Sequence, residues 1–306
     1  MGEIAILGGT GFVGRHLCAR LTTAGYACRV LSRRPERHRA LKVLPRLRLV
    51  AVDPFAPDRL AQALEGCDTV INLVGILNPV AQGFRQVHVE LVERLVETAS
   101  QAGVRRLLHM SALNASAAEG GSAYLRTKGE GENLAHVRGH ARMAVTSFRP
   151  SVIFGPGDGL FNRFAGLLRW APGILPLACP EARFQPVYVG DVAEAMVRAL
   201  SLRETWDRRL DLCGPRVYSL RELVAYTADL LGRRVHILGL GPAASRWQAR
   251  ILGMLPGAPF TLDNYLSMQT PSVCGNNDLA LLGIRPQAVE AVVPLYLRRG
   301  QAAAKL

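Results

Sequence analysis

The 306-residue sequence predicts an α/β protein with a doubly wound parallel sheet. Two observations predict this class. Short apolar runs of strand length alternate with helical patterns through the first 150 residues, an order typical of a parallel sheet covered by helices on both faces. Apolar residues also make up 49% of the chain, which is enough to bury a large core and argues against a disordered protein.

Six strands are predicted in the first half, joined by right-handed crossovers. They cover residues 4–7, 28–31, 47–50, 69–74, 107–110 and 145–148. The first helix carries Val13, Leu17 and Leu21 at helical spacing and ends at Gly25. Two more helices are expected over residues 84–102 and 122–136, between the later strands.

A glycine-rich segment joins the first strand to the first helix. It reads GGTGFVG and satisfies both GxxGxxG and GxGxxG spacing. In a Rossmann unit such glycines allow a tight turn, a close approach of the backbone to a pyrophosphate and close helix–sheet packing, while the helix N-terminus supplies amide donors. The residues expected to bind a dinucleotide here are Gly8, Thr10, Gly11, Phe12, Val13 and Gly14.

The residues after the second strand indicate which dinucleotide binds. An NAD-binding unit usually has Asp or Glu there for the ribose 2′-hydroxyl, but this chain has Ser32, Arg33 and Arg34. Two guanidiniums and a hydroxyl suit a 2′-phosphate, because arginine makes bidentate charge-assisted bonds to phosphate. The sequence therefore favours NADP(H), with NAD(H) as the alternative.

After Pro150 the pattern changes to loops rich in glycine and proline between shorter helices, such as 190–201 and 218–232. The sequence shows no repeat and no low-complexity linker. We therefore expect a dinucleotide-binding Rossmann part at residues 1–150 and a smaller C-terminal substrate or partner lobe at 151–306, packed on the first part.

Further motifs follow the predicted strands and helices in order. They are Asp53, Asn72-Leu73-Val74-Gly75, Ser111, the YxxxK pair Tyr124 and Lys128, Arg149-Pro150, and Val189-Gly190-Asp191-Val192. Over most of its length the chain resembles the extended and atypical short-chain dehydrogenases/reductases, which are NAD-dependent epimerase/dehydratase-like. It is similar in particular to the atypical group that contains the NADPH-binding accessory subunit of respiratory complex I and its bacterial homologues.

The resemblance implies roles for residues that spacing alone does not assign. Asp53, Val74, Gly75, Lys128 and Pro150 would contribute to the cofactor site, and Tyr124 would act as acid/base beside Lys128. The expected function is an NADP(H)-binding oxidoreductase or epimerase-type enzyme acting on a small, hydrophobic substrate. The alternative is a non-catalytic, NADPH-bound structural or assembly protein of a membrane respiratory or quinone-related complex.

The spacing of the pair agrees with this chemistry. Residues four apart share one helix face, and a neighbouring cation favours the phenolate, so we expect Lys128 to lower the pKa of Tyr124. One position departs from the family pattern. Leu113 stands where the family usually has a catalytic serine or threonine, and Ser111, Asn114 and Ser116 are the candidates to replace it.

Histidines and cysteines predict no metal site. His88 and His109 are expected to be hydrogen-bonded structural histidines and not ligands. The six cysteines, at 18, 28, 67, 179, 213 and 274, include no CxxC pair and are expected to be reduced thiols in a cytosol. The N-terminal sequence indicates no signal peptide, and no apolar run reaches the length of a membrane span.

The net charge of +13 indicates an anionic partner, which could be the cofactor or an acidic lipid surface. Nucleic acid is disfavoured because no basic-aromatic binding motif is present. Residues 243–255 and 161–170 place apolar side chains at helical spacing beside arginines. We expect both helices to pack on the core, with contact to lipid or a hydrophobic substrate as the alternative. The expected location is cytoplasmic, with peripheral contact at the inner face of the membrane as a further possibility.

Overall fold

The computed structural model of the chain describes residues 2–78, 83–140 and 142–303. The strands, in chain order, are β1 (Glu3–Leu7), β2 (Cys28–Ser32), β3 (Leu47–Ala51), β4 (Cys67–Asn72), β5 (Arg106–Met110), β6 (Ala144–Pro150), β7 (Ile153–Phe154), β8 (Ile174–Leu177), β9 (Arg183–Phe184), β10 (Val187–Tyr188), β11 (Arg209–Leu212), β12 (Tyr218–Ser219) and β13 (His236–Gly239). The helices are α1 (Phe12–Thr23), α2 (Pro57–Leu64), α3 (Gly83–Arg85), α4 (Leu91–Gln101), α5 (Ala123–Gly139), α6 (Phe161–Trp170), α7 (Val189–Ala199), α8 (Leu220–Leu230), α9 (Pro242–Gly253), α10 (Leu262–Ser267) and α11 (Val289–Ala303).

Seven strands of the described chain form one parallel sheet in the order β11-β6-β5-β4-β1-β2-β3. The six predicted strands are therefore confirmed within a few residues, and so is the doubly wound Rossmann class. The seventh strand, β11, comes from the second half of the chain and pairs with β6. Strand β4 ends at Asn72, two residues earlier than predicted, where the chain turns out of the sheet.

Apolar side chains on the two faces of the sheet form two separate cores. On one face, β-strand residues such as Ile6 and Val30 pack with Leu17 and Leu21 of α1 and with Met196 of α7. On the other face, α2, α4 and α5 cover the sheet through a second cluster that includes Leu60, Leu95, Val96 and Ala135. Strands buried on both faces are typical of parallel sheets, which explains why these strands read as continuous apolar runs.

The second half contributes to both the sheet and a separate layer. Helix α7 and strand β11 complete the Rossmann part, whereas α6, α8 and α11 enclose two smaller cores around Phe161, Leu168 and Val293. Short strand pairs, β7 with β10, β9 with β12 and β8 with β13, connect these helices. The boundary at residue 150 remains a prediction, and residues 304–306 of the predicted lobe lie outside the described residues.

The helix predicted over residues 84–102 is not continuous. A π-helical turn, Gln86–Glu90, separates α3 from α4. π-turns inside helices are rare and often occur at functional sites. Sequence periodicity did not predict this turn, because Val87, Leu91 and Leu95 are apolar and fit an uninterrupted helix.

The prediction of six reduced cysteines is wrong for one pair. Cys213 and Cys274 are joined by a disulfide, with Cα atoms 6.1 Å apart and a sequence separation of 61. The remaining four are free thiols, and three of these are buried. Burial raises the pKa of Cys18 and of Cys28 to about 12, so both stay protonated and inert at neutral pH.

Candidate active site

The glycine loop lies against the end of β4. Gly8 has φ +76°, a left-handed conformation that favours glycine, and a Cβ there would lie 2.9 Å from the carbonyl carbon of Leu73. A Cβ on Gly14 would lie 2.4 Å from the Gly8 carbonyl oxygen, so α1 starts directly against the turn. Gly11 is the N-cap of α1 and has no side chain to occupy the first turn. The loop thus has the tight turn and the open helix N-terminus that a pyrophosphate requires.

The other predicted loop residues occupy the first turn of α1. Thr10 and Phe12 are half-buried, and the Phe12 ring contacts the His16 ring edge-on at 5.7 Å. Val13 packs on the core formed with α1 and α7. These side chains anchor the start of the helix, while the backbone of the loop faces the carboxyl end of the sheet.

Two arginines follow β2 at the same edge of the sheet. Arg33 and Arg34 are exposed, and neither guanidinium forms an ion pair with a described residue. Ser32 is buried, and its hydroxyl accepts a hydrogen bond from the Arg34 backbone N–H at 3.3 Å. The turn therefore presents two free cations beside a buried serine.

Asp53 follows β3 and is exposed. Its carboxylate accepts a hydrogen bond from the Phe55 backbone N–H at 3.1 Å, which shapes the turn that leads to α2. Asp53 thus lies at the carboxyl edge of the sheet, as predicted, and its contact with a cofactor remains a prediction.

Asn72 fixes the backbone after β4. Its Oδ1 accepts from the Val74 N–H at 3.1 Å, and its Nδ2 lies 3.3 Å from Nδ1 of His109 on β5. His109 is buried, and that burial holds its pKa well below the usual value. The expectation that His109 is a hydrogen-bonded core histidine is confirmed. Leu73 and Val74 leave the sheet here and pass beside Gly8, and Gly75 lies near His88 and Lys128.

Lys128 lies on the inner face of α5 and reaches the same edge of the sheet. Its Nζ donates to the Met110 carbonyl at 2.5 Å, and a Cβ on Gly75 would lie 3.8 Å from that Nζ. Burial lowers the pKa of Lys128 to about 8, although the charge of Glu132 opposes this shift. The YxxxK lysine is thus held between the ends of β4 and β5.

Tyr124 is one turn earlier on α5 and contacts the rings of Phe84 and His88 edge-on, at 6.1 and 5.6 Å. The predicted decrease in its pKa is wrong. Burial, and to a lesser extent the charge of Asp263, raise the pKa of Tyr124 to about 12. The spacing places Tyr124 and Lys128 on one helix face, but desolvation outweighs the expected effect of the cation. Tyr124 is therefore a neutral phenol at neutral pH.

Asp263 of α10 caps the helix that carries Tyr124. Its two carboxylate oxygens accept hydrogen bonds from the backbone N–H groups of Ala123 and Tyr124, at 2.7 and 3.2 Å. The Ser122 hydroxyl caps the same turn by accepting from the Leu125 N–H at 3.1 Å. Sequence reasoning missed Asp263, because it lies about 140 residues from the helix that it caps.

His88 lies in the π-helical turn and bridges two elements of the site. Its Nε2 accepts from the Ile76 backbone N–H at 3.2 Å, and its Nδ1 lies 3.0 Å from the Thr127 hydroxyl on α5. Burial, and then the charge of Lys128, lower the pKa of His88 to about 3, so the ring is neutral. The expectation of a hydrogen-bonded structural histidine is confirmed, and the π-turn is what aims the ring at the site.

Among the three candidates to replace the serine or threonine missing at Leu113, Ser111 has the unpaired hydroxyl. Its Oγ is buried and has no hydrogen-bond partner in the part of the chain that the structure describes. Asn114 instead donates to the Pro271 carbonyl, and the Ser116 hydroxyl accepts from the Glu119 N–H. An unpaired buried hydroxyl at the end of β5 indicates a missing polar partner, which a bound ligand could provide.

Leu113 and Pro150 hold β5 and β6 together beyond the ends of the strands. Leu113 is buried, and its N–H donates to the carbonyl of Pro150 at 3.0 Å. Pro150 ends β6 and is buried at the same edge of the sheet as the other candidate residues. Leu113 therefore has a packing role here and offers no hydroxyl to a substrate.

The described residues contain no cluster of three or more His, Cys, Asp or Glu side chains that could hold a metal ion. None of the helices in the described ranges is long and apolar enough to cross a membrane.

The sheet order, the glycine turn and the YxxxK helix define a Rossmann protein of the short-chain dehydrogenase/reductase type. Residues 4–209 match the model of the NAD dependent epimerase/dehydratase family. The chain belongs to that family, which confirms the predicted resemblance.

Known relatives include both a respiratory subunit and a reductase. The chain is 30% identical, over 96% of its length and 79% of the relative, to the mitochondrial NADH dehydrogenase (ubiquinone) 1 alpha subcomplex subunit 9 of Mus musculus. It is also 30% identical, over 78% of its length and 74% of the relative, to the ceramide reductase of Caulobacter vibrioides. The solved structure of MoeE5 in complex with UDP-glucose and NAD has the same fold, with a TM-score of 0.74, 21% identity, and coverage of 98% of this chain and 100% of that one.

Proposed function

We propose that the protein is an NADP(H)-dependent oxidoreductase that reduces a carbonyl group of a small, hydrophobic substrate. The observation that carries the proposal is the convergence at one sheet edge of the Gly8 turn, Gly75 and the Lys128 ammonium. Ligands of open α/β sheets bind at this carboxyl edge. Reductases among the relatives, such as the ceramide reductase, support the reaction type.

The residues present fit a phosphorylated dinucleotide. Gly8 and Gly14 form a tight turn in which a Cβ at either position would clash with backbone, and the start of α1 would supply N–H donors to a pyrophosphate. The free guanidiniums of Arg33 and Arg34 would hold a 2′-phosphate, and Lys128 would hold the nicotinamide ribose. When bound, the cofactor supplies the hydride for the carbonyl carbon.

The chain's own groups supply the proton. Tyr124 is protonated at neutral pH, because burial and the charge of Asp263 keep its pKa near 12. It would give that proton to the carbonyl oxygen as the carbon is reduced, which yields an alcohol. The buried Ser111 hydroxyl would donate a hydrogen bond to the same oxygen. The raised pKa of Tyr124 means that the phenol still carries its proton at neutral pH, so the proton needed for reduction is present.

Tyr124→Phe tests the catalytic part of this proposal. NADPH oxidation is followed with a panel of quinones, ketones and aldehydes, and NADPH binding is measured by thermal shift. We expect turnover to fall by about 10²–10⁴-fold with binding intact, since the phenolic proton is lost and the ring remains. Tyr26→Phe, at the entrance of β2 and far from the site, is the matched control and should retain full activity. Equal turnover in the two variants would refute the role of Tyr124.

Arg33→Ala/Arg34→Ala tests the cofactor preference. Each charge-assisted bond to phosphate contributes about 1.5–3 kcal/mol, so the double variant should lose at least about 100-fold in NADPH affinity and little in NADH affinity. Arg39→Ala/Lys42→Ala removes the same charge from the same segment and should preserve the preference. If NADPH and NADH protect the wild type equally, the 2′-phosphate assignment is wrong.

The residue at position 113 favours a second, non-catalytic function. Leu113 stands where the family usually has a catalytic hydroxyl, and the murine relative that matches 96% of this chain is named as a subunit of NADH dehydrogenase. The protein would then be a non-catalytic structural or assembly protein in which NADPH stabilises the fold. Copurifying NADPH that no carbonyl or quinone oxidises, together with an unchanged Tyr124→Phe variant, would establish this function.

A further inference from the structure

Several large apolar side chains are exposed on neighbouring elements in the second half of the chain. We call them the α9 surface, which consists of Trp170, Ile174, Leu238, Trp247, Ile251, Met254 and Leu255. The exposed fractions of Trp170, Met254 and Trp247 are 89%, 78% and 63%. Monomeric proteins rarely expose contiguous apolar patches unless the patch binds something.

Helix α9 presents its apolar face outward. Trp247 and Ile251 are four residues apart on this helix and both are exposed, and Met254 and Leu255, directly after its last residue, are exposed as well. The opposite side carries the small buried residues Ser245 and Ala249. This orientation is the reverse of the usual surface helix, whose apolar side faces the core. The expectation that residues 243–255 pack on the core is wrong for these side chains. Helix α6 follows the expectation through Phe161 and Leu168 but leaves Trp170 exposed.

Two hydrogen bonds fix α9 to β8 and the residue after it, so the exposed side chains lie on elements that are held together. Gln248 of α9 donates to the Pro176 carbonyl of β8 at 3.1 Å. The Ser245 hydroxyl accepts from the Cys179 N–H, just after β8, at 3.1 Å. Ile174 and Leu238 are exposed on the β8–β13 pair to which α9 is joined.

The segments that build this surface are basic. Residues 159–180 and 230–262 contain no Asp or Glu, and the acidic residues Asp158, Glu181, Asp229 and Asp263 stand directly beyond their ends. The two segments contain six arginines, all exposed, and none of the six forms an ion pair within the described ranges: Arg163, Arg169, Arg233, Arg234, Arg246 and Arg250. A second copy of the chain would bring six like charges against these six, so self-association is disfavoured. A surface that is both apolar and anionic fits them.

We propose that the α9 surface docks on an anionic lipid bilayer, with α9 lying in the plane of the membrane interface. Trp170 and Trp247 would sit at the level of the head groups, where tryptophan is enriched, and Ile251, Met254 and Leu255 would enter the acyl boundary. The arginines would contact lipid phosphates. Because α10 follows α9 and caps the Tyr124 helix through Asp263, docking would place the candidate site close to the bilayer. The proposal does not depend on catalysis.

Vesicle cosedimentation of the full chain tests the docking. The vesicles are pure phosphatidylcholine or equimolar phosphatidylcholine and phosphatidylglycerol. We expect binding to the anionic vesicles only, and weaker binding as salt rises. Arg246→Glu/Arg250→Glu should reduce the affinity by more than about 25-fold, since each basic residue contributes about fivefold. Arg142→Glu/Arg208→Glu changes the same charge at the opposite edge of the sheet and should bind nearly like the wild type.

The apolar contribution has its own pair of variants. Trp247→Ser/Met254→Ser should lose roughly tenfold or more in vesicle affinity, whereas Val43→Ser/Val137→Ser, at sites 81% and 77% exposed in the first half, should not. Bromine-labelled lipids should quench the fluorescence of Trp170 and Trp247 but not that of Trp206. An unchanged melting temperature and retained NADPH protection show that each variant is folded.

Three outcomes would overturn the proposal. The first is binding that does not depend on vesicle charge or on Arg246 and Arg250. The second is equal loss in the α9 variants and their controls. The third is concentration-dependent self-association that the α9 variants abolish, without any vesicle binding, which would make the surface an interface between copies.

Discussion

Glu132→Gln should destabilise the fold by several kcal/mol. Glu132 of α5 is fully buried, and its Oε1 lies 2.5 Å from both Arg149 Nη2 on β6 and Arg209 Nε on β11. Removing one partner of a buried ion pair leaves uncompensated charge and costs about 3–5 kcal/mol. Since the two arginines keep 27% and 36% of their side-chain surface exposed, water relieves part of that cost. We therefore expect a loss of about 3 kcal/mol in the free energy of unfolding.

Urea unfolding followed by circular dichroism measures this loss as a lower midpoint at unchanged slope. Glu93→Gln is the matched control on the neighbouring helix. Glu93 pairs with Arg138 at 2.6 Å, but their side chains are 39% and 56% exposed, and such surface pairs contribute about 0–1 kcal/mol. Similar losses in the two variants would refute the reasoning that burial of the carboxylate determines the cost.

The same variant should alter the candidate site. The charge of Glu132 opposes the decrease that burial imposes on the pKa of Lys128, which is about 8. Without that charge the pKa falls further. An anionic dinucleotide favours the charged ammonium, so binding raises this pKa and the affinity declines as pH rises through the value of the free protein. NADPH affinity should therefore begin to fall at a lower pH in Glu132→Gln than in the wild type. In Lys128→Met this part of the pH dependence should disappear.

Three further results are expected. Gly14→Ala should cost about 1–3 kcal/mol and abolish NADPH protection in thermal unfolding, because its Cβ would lie 2.4 Å from a backbone oxygen, whereas Gly159→Ala, with open space around it, should be neutral. Burial lowers the pKa of His136 to about 4, so the unfolded chain binds an extra proton between about pH 6.5 and 4. The free energy of unfolding should therefore decrease as pH is lowered from about 6.5 to 4. The same dependence of stability on pH in a His136→Gln variant would contradict this. Reductant should lower the melting temperature, because the Cys213–Cys274 disulfide constrains the unfolded chain and contributes about 4 kcal/mol to stability. Reductant should not change the melting temperature of the Cys213→Ser/Cys274→Ser variant.

Local pattern was sufficient to predict most of the Rossmann part. The strands of the first half are apolar runs bounded by turns, and the glycine spacing has meaning because it lies between a strand and a helix. The predicted cofactor-binding residues lie at the carboxyl edge of the sheet because parallel strands end there together. Strand β11 was missed because its four residues, RLDL, alternate polar and apolar and carry too little signal beside charged neighbours.

The features that the sequence could not predict depend on distant contacts. Asp263 acts on Tyr124 from a separate helix, and Cys274 pairs with Cys213 across 61 residues. The predicted decrease in the pKa of Tyr124 was wrong for a related reason. Helical spacing identifies the nearest cation, but burial is set by residues from the whole fold, and here it has the larger effect.

The π-helical turn at Gln86–Glu90 rotates the side chains before it about the helix axis relative to those of α4. A π-turn corresponds to one residue more than an α-helix would use, and one residue is worth about 100° of rotation. Helix α4 keeps its apolar stripe on the core, while Phe84 and His88 are turned toward Tyr124. Deleting a single residue such as Val87 would remove this rotation. It would leave α4 in place and rotate Phe84 and His88 away from the site. The main effect of a one-residue deletion there would be to change the direction of these side chains.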